Sequence, residues 1–258
     1  SKRIVYHSEF CSLEESLPGT NMKIRVITTW NQKLFQEYAY RFELSFKRHW
    51  NFPLTVYNED KDFFNLVPEC KEFIERNKHR PHKDFLRDAC RFSYKVYAYT
   101  HAVINDTESD FIMGIDADSV FYKPIDKVWI KENVCHSDRM LTYLGRGSQY
   151  SECGFLGFNM QHPETKNFAR AMKEMYDKDK LFNLIEWHDS YIWDHVRKEF
   201  ETKGVNNYNI GDGGNGHVQA RSCLGPIYDH TKGTQRKIWG YSGENMTLGN
   251  KRGDYESR

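Results

Sequence analysis

Hydrophobic positions along the chain follow two periods in turn. Ile24-Arg25-Val26-Ile27-Thr28-Thr29 is short and β-branched, and a polar turn at Trp30-Asn31 follows it, which predicts a strand. From 32 to 50, Leu34, Phe35, Tyr38, Phe42 and Phe46 recur at helical spacing. Leu54-Thr55-Val56-Tyr57 reads as a second strand, running out at Asn58-Glu59-Asp60. A helix is expected around 63–77, stopped by the basic loop 78–83, and Asp84 is placed to cap a long helix reaching about Val103. Phe111-Ile112-Met113-Gly114-Ile115 is continuously apolar, as a parallel strand buried on both faces should be. Beyond it the pattern mixes: strands near 139–144 and 154–160, a helix opened by Pro163, and another near 188–202. A glycine-rich stretch, 204–216, comes next, and from Gly240 the tail has no hydrophobic pattern and is expected to wrap the surface or lack order.

Strand–helix alternation in the first half predicts an α/β domain with right-handed crossovers. The chain's 258 residues suffice for one large domain, and aromatics at 15% provide core despite 28% charged residues. Lys plus Arg (37) nearly cancels Asp plus Glu (36), which argues against a nucleic-acid partner. No apolar run approaches the ~20 residues that cross a bilayer. The six cysteines form no Cys-x-x-Cys pair, so a structural zinc site is not expected and a reducing, cytoplasmic compartment is. A membrane-peripheral or trimmed luminal domain is the alternative, since the first residue is Ser and two Asn-x-Thr sequons, at Asn105 and Asn245, are present.

Three Asp-x-Asp triplets occur, at 60/62, 116/118 and 177/179. The first and third lie in Lys-rich surroundings and read as solvated faces. Only Asp116-Ala117-Asp118 comes straight off a buried strand, where open α/β sheets place ligands. Two carboxylates there need a cation, and hard oxygen ligands suit Mg²⁺ or Mn²⁺, which bridge phosphate oxygens. A strand-end turn with two solvated aspartates is the plainer reading.

On these residues the chain resembles glycosyltransferases of the GT-A fold, from Lys23 to about Trp239. The resemblance implies a single Rossmann-like α/β domain with a mostly parallel central sheet flanked by helices. It divides the chain into a lead-in (1–21), a transferase domain (22–240) and a tail (241–258). Within the domain, 22–125 would bind nucleotide and 126–240 the acceptor. Asp116 would face the ribose and metal, and Asp118 would ligate the metal. Asp229-His230-Thr231-Lys232-Gly233-Thr234-Gln235-Arg236-Lys237 is similar to the late His-x-x-Gly-x-x-Lys segment of glycogenin-like transferases. His230 would complete the metal site, Gly233 matches its glycine, and Arg236 or Lys237 would supply the cation for the diphosphate.

Arg91 and Lys95 share a helix face, and in similar transferases that helix aims a basic residue at the donor. Glu186-Trp187-His188-Asp189-Ser190 resembles the acidic turn beneath the sugar in retaining enzymes, which makes Asp189, with Lys95, the catalytic candidate. Gly154, in Glu152-Cys153-Gly154-Phe155, matches the close approach to the donor sugar. By fold alone, Thr28, Trp30 and Tyr57 are expected at the base and ribose. The implied reaction moves a sugar from a nucleotide-sugar donor, with Mn²⁺ or Mg²⁺, to a glycan, glycolipid or protein hydroxyl, with retention.

The rival is a haloacid-dehalogenase-type phosphatase with Asp116 as nucleophile and Asp118 as acid/base. Gly211-Asp212-Gly213-Gly214-Asn215 resembles that family's last acidic motif, but Gly216 stands where its closing Asp belongs, and residues 22–105 would have no role. A non-catalytic sugar-nucleotide-binding module is the third reading.

Overall fold

A computed structural model describes residues 21–60, 62–81 and 83–249. Strand β1 (Ile24–Trp30) is the expected first strand. Its alternation sends Ile24, Val26 and Trp30 into one apolar cluster and Ile27 into the other. The helical segment that follows is not uniform. Helix α1 (Gln32–Leu34) is capped by the Asn31 side chain and passes through a π-helical turn (Phe35–Ala39) into α2 (Tyr40–His49). Phe42 and Phe46 on α2 meet Phe121 edge-on at 4.9 and 5.3 Å between centroids, which anchors the helix.

After β2 (Leu54–Asn58), the single helix expected at 63–77 is two: α3 (Phe63–Leu66) and α4 (Pro68–Asn77). Pro68 opens α4 and cannot donate the hydrogen bond that would join them. The long helix expected from Asp84 is likewise divided. Asp84 caps one 3₁₀ turn (Phe85–Arg87), and Asp88 then caps α5 (Ala89–Asn105), its carboxylate accepting from Arg91 N–H at 3.2 Å. Asp88, by capping the next helix, competes for the backbone and ends the 3₁₀ turn before it.

The chain continues through β3 (Phe111–Ile115), β4 (Ser119–Phe121), α6 (Lys127–Asn133), β5 (Leu141–Leu144) and β6 (Glu152–Asn159). Helices α7 (Thr165–Asp177) and α8 (Asp189–Thr202) follow, then β7 (Tyr208–Asn209), β8 (Tyr228–His230), α9 (Thr234–Trp239) and α10 (Gly243–Thr247). The main sheet has the order β2-β1-β3-β6-β5-β7. Three of its five pairings are parallel (β1–β2, β1–β3, β5–β7), while β6 runs antiparallel to both neighbours. One face carries α4, α5, α7 and α8; the other carries α2, α6 and the 218–228 segment.

Two further connections shape the site. Because β6 is antiparallel to β3, its first residues lie beside the end of β3, and Asp116 N–H donates to Gly154 O at 3.1 Å. A separate ribbon pairs β4 with β8, setting Ser119 opposite His230. The glycine-rich stretch is tied down where it passes the 145–148 loop, with Ser148 and Asn215 exchanging side-chain hydrogen bonds. The tail is ordered as far as described: Ser242 caps α10 and gives its N–H and hydroxyl to Asp229 at 2.6 and 2.7 Å. Among the described residues no helix is long and apolar enough to cross a membrane, and all five cysteines there are free thiols.

Candidate active site

Asp116 leaves the end of β3 and Asp118 stands immediately before β4. The β4–β8 ribbon brings His230 to them, and Thr231 fastens it, giving its N–H and hydroxyl to Asp118 O at 2.8 and 2.7 Å. His230 Nε2 lies 3.2 Å from Asp118 Oδ1 and 3.6 Å from Asp116 Oδ2. Its Nδ1 lies 2.9 Å from Glu152 Oε1. The ring fits against β6 only because residue 154 is glycine; a Cβ there would overlap the imidazole.

Three cationic groups offset the acids. Lys95 Nζ, rising from α5, contacts Asp116 Oδ1 at 2.6 Å and Asp189 Oδ2 at 2.9 Å, and donates to Cys153 O at 2.7 Å. Burial works against its charge, but the two aspartates outweigh burial and hold the ammonium well above the usual lysine value. Lys237 Nζ is 3.0 Å from Asp118 Oδ2 and 4.3 Å above the Tyr38 ring. Burial would raise the Asp118 carboxyl, yet His230 and Lys237 bring it well below the carboxylate range. Asp116 stays raised: burial dominates, and the pull of Lys95 and His230 does not fully offset it. Burial would also lower His230, but Asp118 and Glu152 lift it to about 9.

Asp116, Asp118 and His230 offer three ligand atoms within 4.8 Å of one another. Oxygen with one imidazole nitrogen suits Mn²⁺ or Mg²⁺, and an Nδ1 tied to a carboxylate is how a ligating imidazole is oriented. Glu152, His217 and His230 cluster as closely. There, however, both imidazoles turn Nδ1 to the same Glu152 oxygen at 2.9 Å, and the set offers one carboxylate to two imidazoles, a poorer match to a hard cation. Donor chemistry separates the groups: the first fits the expected metal, and in the second Glu152 orients the His230 ring.

The structure also sorts the remaining candidates. Of the two late cations, Lys237 faces Asp118, while Arg236 pairs with Glu244 of α10. Gly233, at φ +84°, turns the chain into α9, so that Lys237 falls one helical turn beyond it. Arg91 lies over the Phe92 ring, 5.5 Å from its centroid, and acts electrostatically on Tyr38. Thr28, Trp30 and Tyr57 are buried in the core instead of lining the centre. Trp30 packs on Phe35 and Phe42, and the Tyr57 hydroxyl bonds His101 Nδ1 at 2.9 Å.

At the strand ends it is Thr29 and Asn31 that engage a side chain, Glu59, at 2.5 and 3.0 Å, and burial raises that carboxyl. Tyr38 stands at Lys237 from the π-helical turn, a distortion frequent at functional sites. Sequence reading missed Tyr38, Glu59 and His217. Glu152 did carry a signal, an acid opening an otherwise apolar strand. Asp212, from the phosphatase-like segment, is bound by Arg221, and the acidic centre takes no residue from 211–215.

No family profile and no curated protein matches the sequence. Among solved structures, a glycosyltransferase involved in the glycosylation of the major capsid of PBCV-1 superposes at TM-score 0.50 with 10% identity, over 83% of this chain and 98% of its own. The fold is that of a GT-A-like glycosyltransferase. Mouse xyloside xylosyltransferase 1 aligns at TM-score 0.46 and 9% identity over 72% of this chain and 84% of that one. The glycosyltransferase GlyE of Streptococcus pneumoniae TIGR4 aligns at 0.42 and 14% over 73% of this chain, which spans 46% of GlyE. In the GT-A-like fold described here, the acidic centre lies at the carboxyl end of β3, where α/β sheets bind ligands.

Proposed function

We propose that this protein is a metal-dependent glycosyltransferase. It takes a sugar from a UDP- or GDP-linked donor and passes it to a hydroxyl of a glycan, glycolipid or protein, with retention. The observation that carries the reading is His230, whose Nε2 faces Asp116 and Asp118 while Glu152 holds its Nδ1, within a GT-A-like fold.

Mn²⁺ or Mg²⁺ held by Asp116, Asp118 and His230 would supply Lewis-acid stabilisation of the departing diphosphate. Lys237 adds a fixed positive charge on the same side, pre-oriented by Asp118 and by the Tyr38 ring. Lys95 keeps Asp116 and Asp189 apart in charge and fixed in position. Asp189, the first residue of α8, is the carboxylate assigned to the sugar, where it opposes positive charge developing on the ring. Thr29, Asn31 and Glu59, at the ends of β1 and β2, are the polar groups placed to meet ribose or base.

The test is a thermal-shift screen of UDP-, GDP- and CMP-linked sugars with and without Mn²⁺, because a ligand that binds the native state raises its stability. Stabilisation by a UDP- or GDP-sugar that requires the metal supports the reading. Metal-promoted hydrolysis of simple phosphate esters, with no nucleotide-sugar bound, would replace it with the phosphatase.

A further inference from the structure

A cavity of about 760 Å³ lies between the 145–151 loop and the first turns of α8. Both its walls carry residues that contact neighbours of the acidic centre. On one side Arg146 reaches Glu152 at 3.3 Å, the carboxylate that holds His230. On the other, Tyr150 packs edge-on to His188, with ring centroids 4.3 Å apart. His188 caps α8, whose first residue, Asp189, bonds Lys95. A site of this volume accommodates a ligand the size of one or two sugar rings.

Charge decides what kind of ligand. The charged groups of the lining all have partners in place. Arg146 meets Glu152, Arg197 meets Asp194 at 3.1 Å and Glu201 at 2.6 Å, and Lys198 meets Asp194 at 3.6 Å. Glu186 is 2.6 Å from His188 Nε2. An ionic ligand would have to compete with these contacts. Among the described residues, no hydrogen bond engages the hydroxyls of Tyr150 or Tyr191, the amide of Gln149 or Nδ2 of Asn209, all of which line the cavity. Aromatic faces flanked by neutral donors and acceptors suit a pyranose, whose C–H face stacks while its hydroxyls hydrogen-bond.

We propose that this cavity is the acceptor site and that the acceptor group it takes is an uncharged saccharide; the assignment as acceptor rests on the transferase reading above. Binding is testable without donor or metal. Saturation-transfer NMR would compare lactose, maltose and cellobiose with glucuronic acid, N-acetylneuraminic acid and glucose 6-phosphate. At least one neutral sugar is expected to bind in preference to every charged probe. Tyr150→Ala and Tyr191→Ala are each expected to weaken it about tenfold, as loss of a stacking ring does. Tyr150→Phe, which keeps the ring, is expected to retain most of the binding and controls for misfolding. Preference for a charged probe, binding indifferent to both tyrosines, or no binding of any neutral sugar would each overturn the proposal. Neutral-sugar binding that needs both rings supports the site even in a protein that transfers nothing; there the transferase reading is what fails.

Discussion

Glu152 Oε1 sits 2.9 Å from His230 Nδ1, so the imidazole that faces Asp116 and Asp118 is aimed by a carboxylate on a different strand. The same oxygen lies 2.9 Å from His217 Nδ1, and Arg146 and Lys232 hold its partner. Glu152 is thereby fixed from four sides, and its carboxyl lies well below the usual range: burial would raise it, but His217 and His230 prevail.

Glu152→Gln is expected to lower Mn²⁺ affinity about 10- to 100-fold, the usual cost of losing such an orienting partner. Titration calorimetry measures it, with far-UV dichroism confirming the fold. Unchanged affinity would mean that Glu152 serves folding alone.

Asp118→Ala and His230→Ala each remove one of the three proposed metal ligands and are expected to abolish Mn²⁺-dependent stabilisation by UDP or GDP. The two late cations separate in the same assay. Lys237→Ala is expected to weaken nucleoside diphosphate binding, whereas Arg236→Ala, which loses its contacts with Glu244 on α10 and with Lys232 O, is expected to leave that affinity near wild type.

Asp189→Asn keeps the shape at the start of α8 and removes the charge facing Lys95. A loss of ~10²–10⁴ in turnover is expected, with donor affinity nearly unchanged. Loss of donor binding instead would place Asp189 in the donor-sugar pocket.

Lys95→Met leaves Asp116 and Asp189 without the ammonium between them. Removing one partner of a buried ionic network costs about 3–5 kcal/mol, visible in urea unfolding. Added Mn²⁺ is expected to restore part of it, because the proposed metal site shares Asp116.

One of the other Asp-x-Asp triplets carries a pH dependence. Asp179, expected on a solvated face, is partly exposed, and Arg76 and Asn77 bind its carboxylate there, at 2.8 Å from Arg76 Nε and 2.8 Å from Asn77 Nδ2. Burial acts upward on its carboxyl, but Arg76 and Asn77 lower it overall. A depressed folded value means the contribution is present above the unfolded value near 4 and is lost as pH falls below it. Asp179→Asn also suits its φ of +54° and is expected to flatten the stability profile below about pH 4, by roughly 1 kcal/mol or less for so exposed a pair.

Much of the framework is a local property of the chain, and the sequence by itself determined it. β1, β2 and β3 follow from runs of β-branched and apolar residues, and the acidic motif from its place directly after the most apolar strand. Tertiary structure decided the rest. Trp30 and Tyr38 carry the same kind of aromatic signal, but strand alternation buries the first, and a π-helical turn brings the second to Lys237. Strands β4 and β8, at three residues each, are too short to show a period, yet their pairing is what delivers His230 to Asp118 across more than a hundred residues. Glu152 acquires its task only from the antiparallel register of β6 on β3. Periodicity reports what a residue's near neighbours require, whereas charge partners are chosen by sheet register and chain reversal, which no local pattern records.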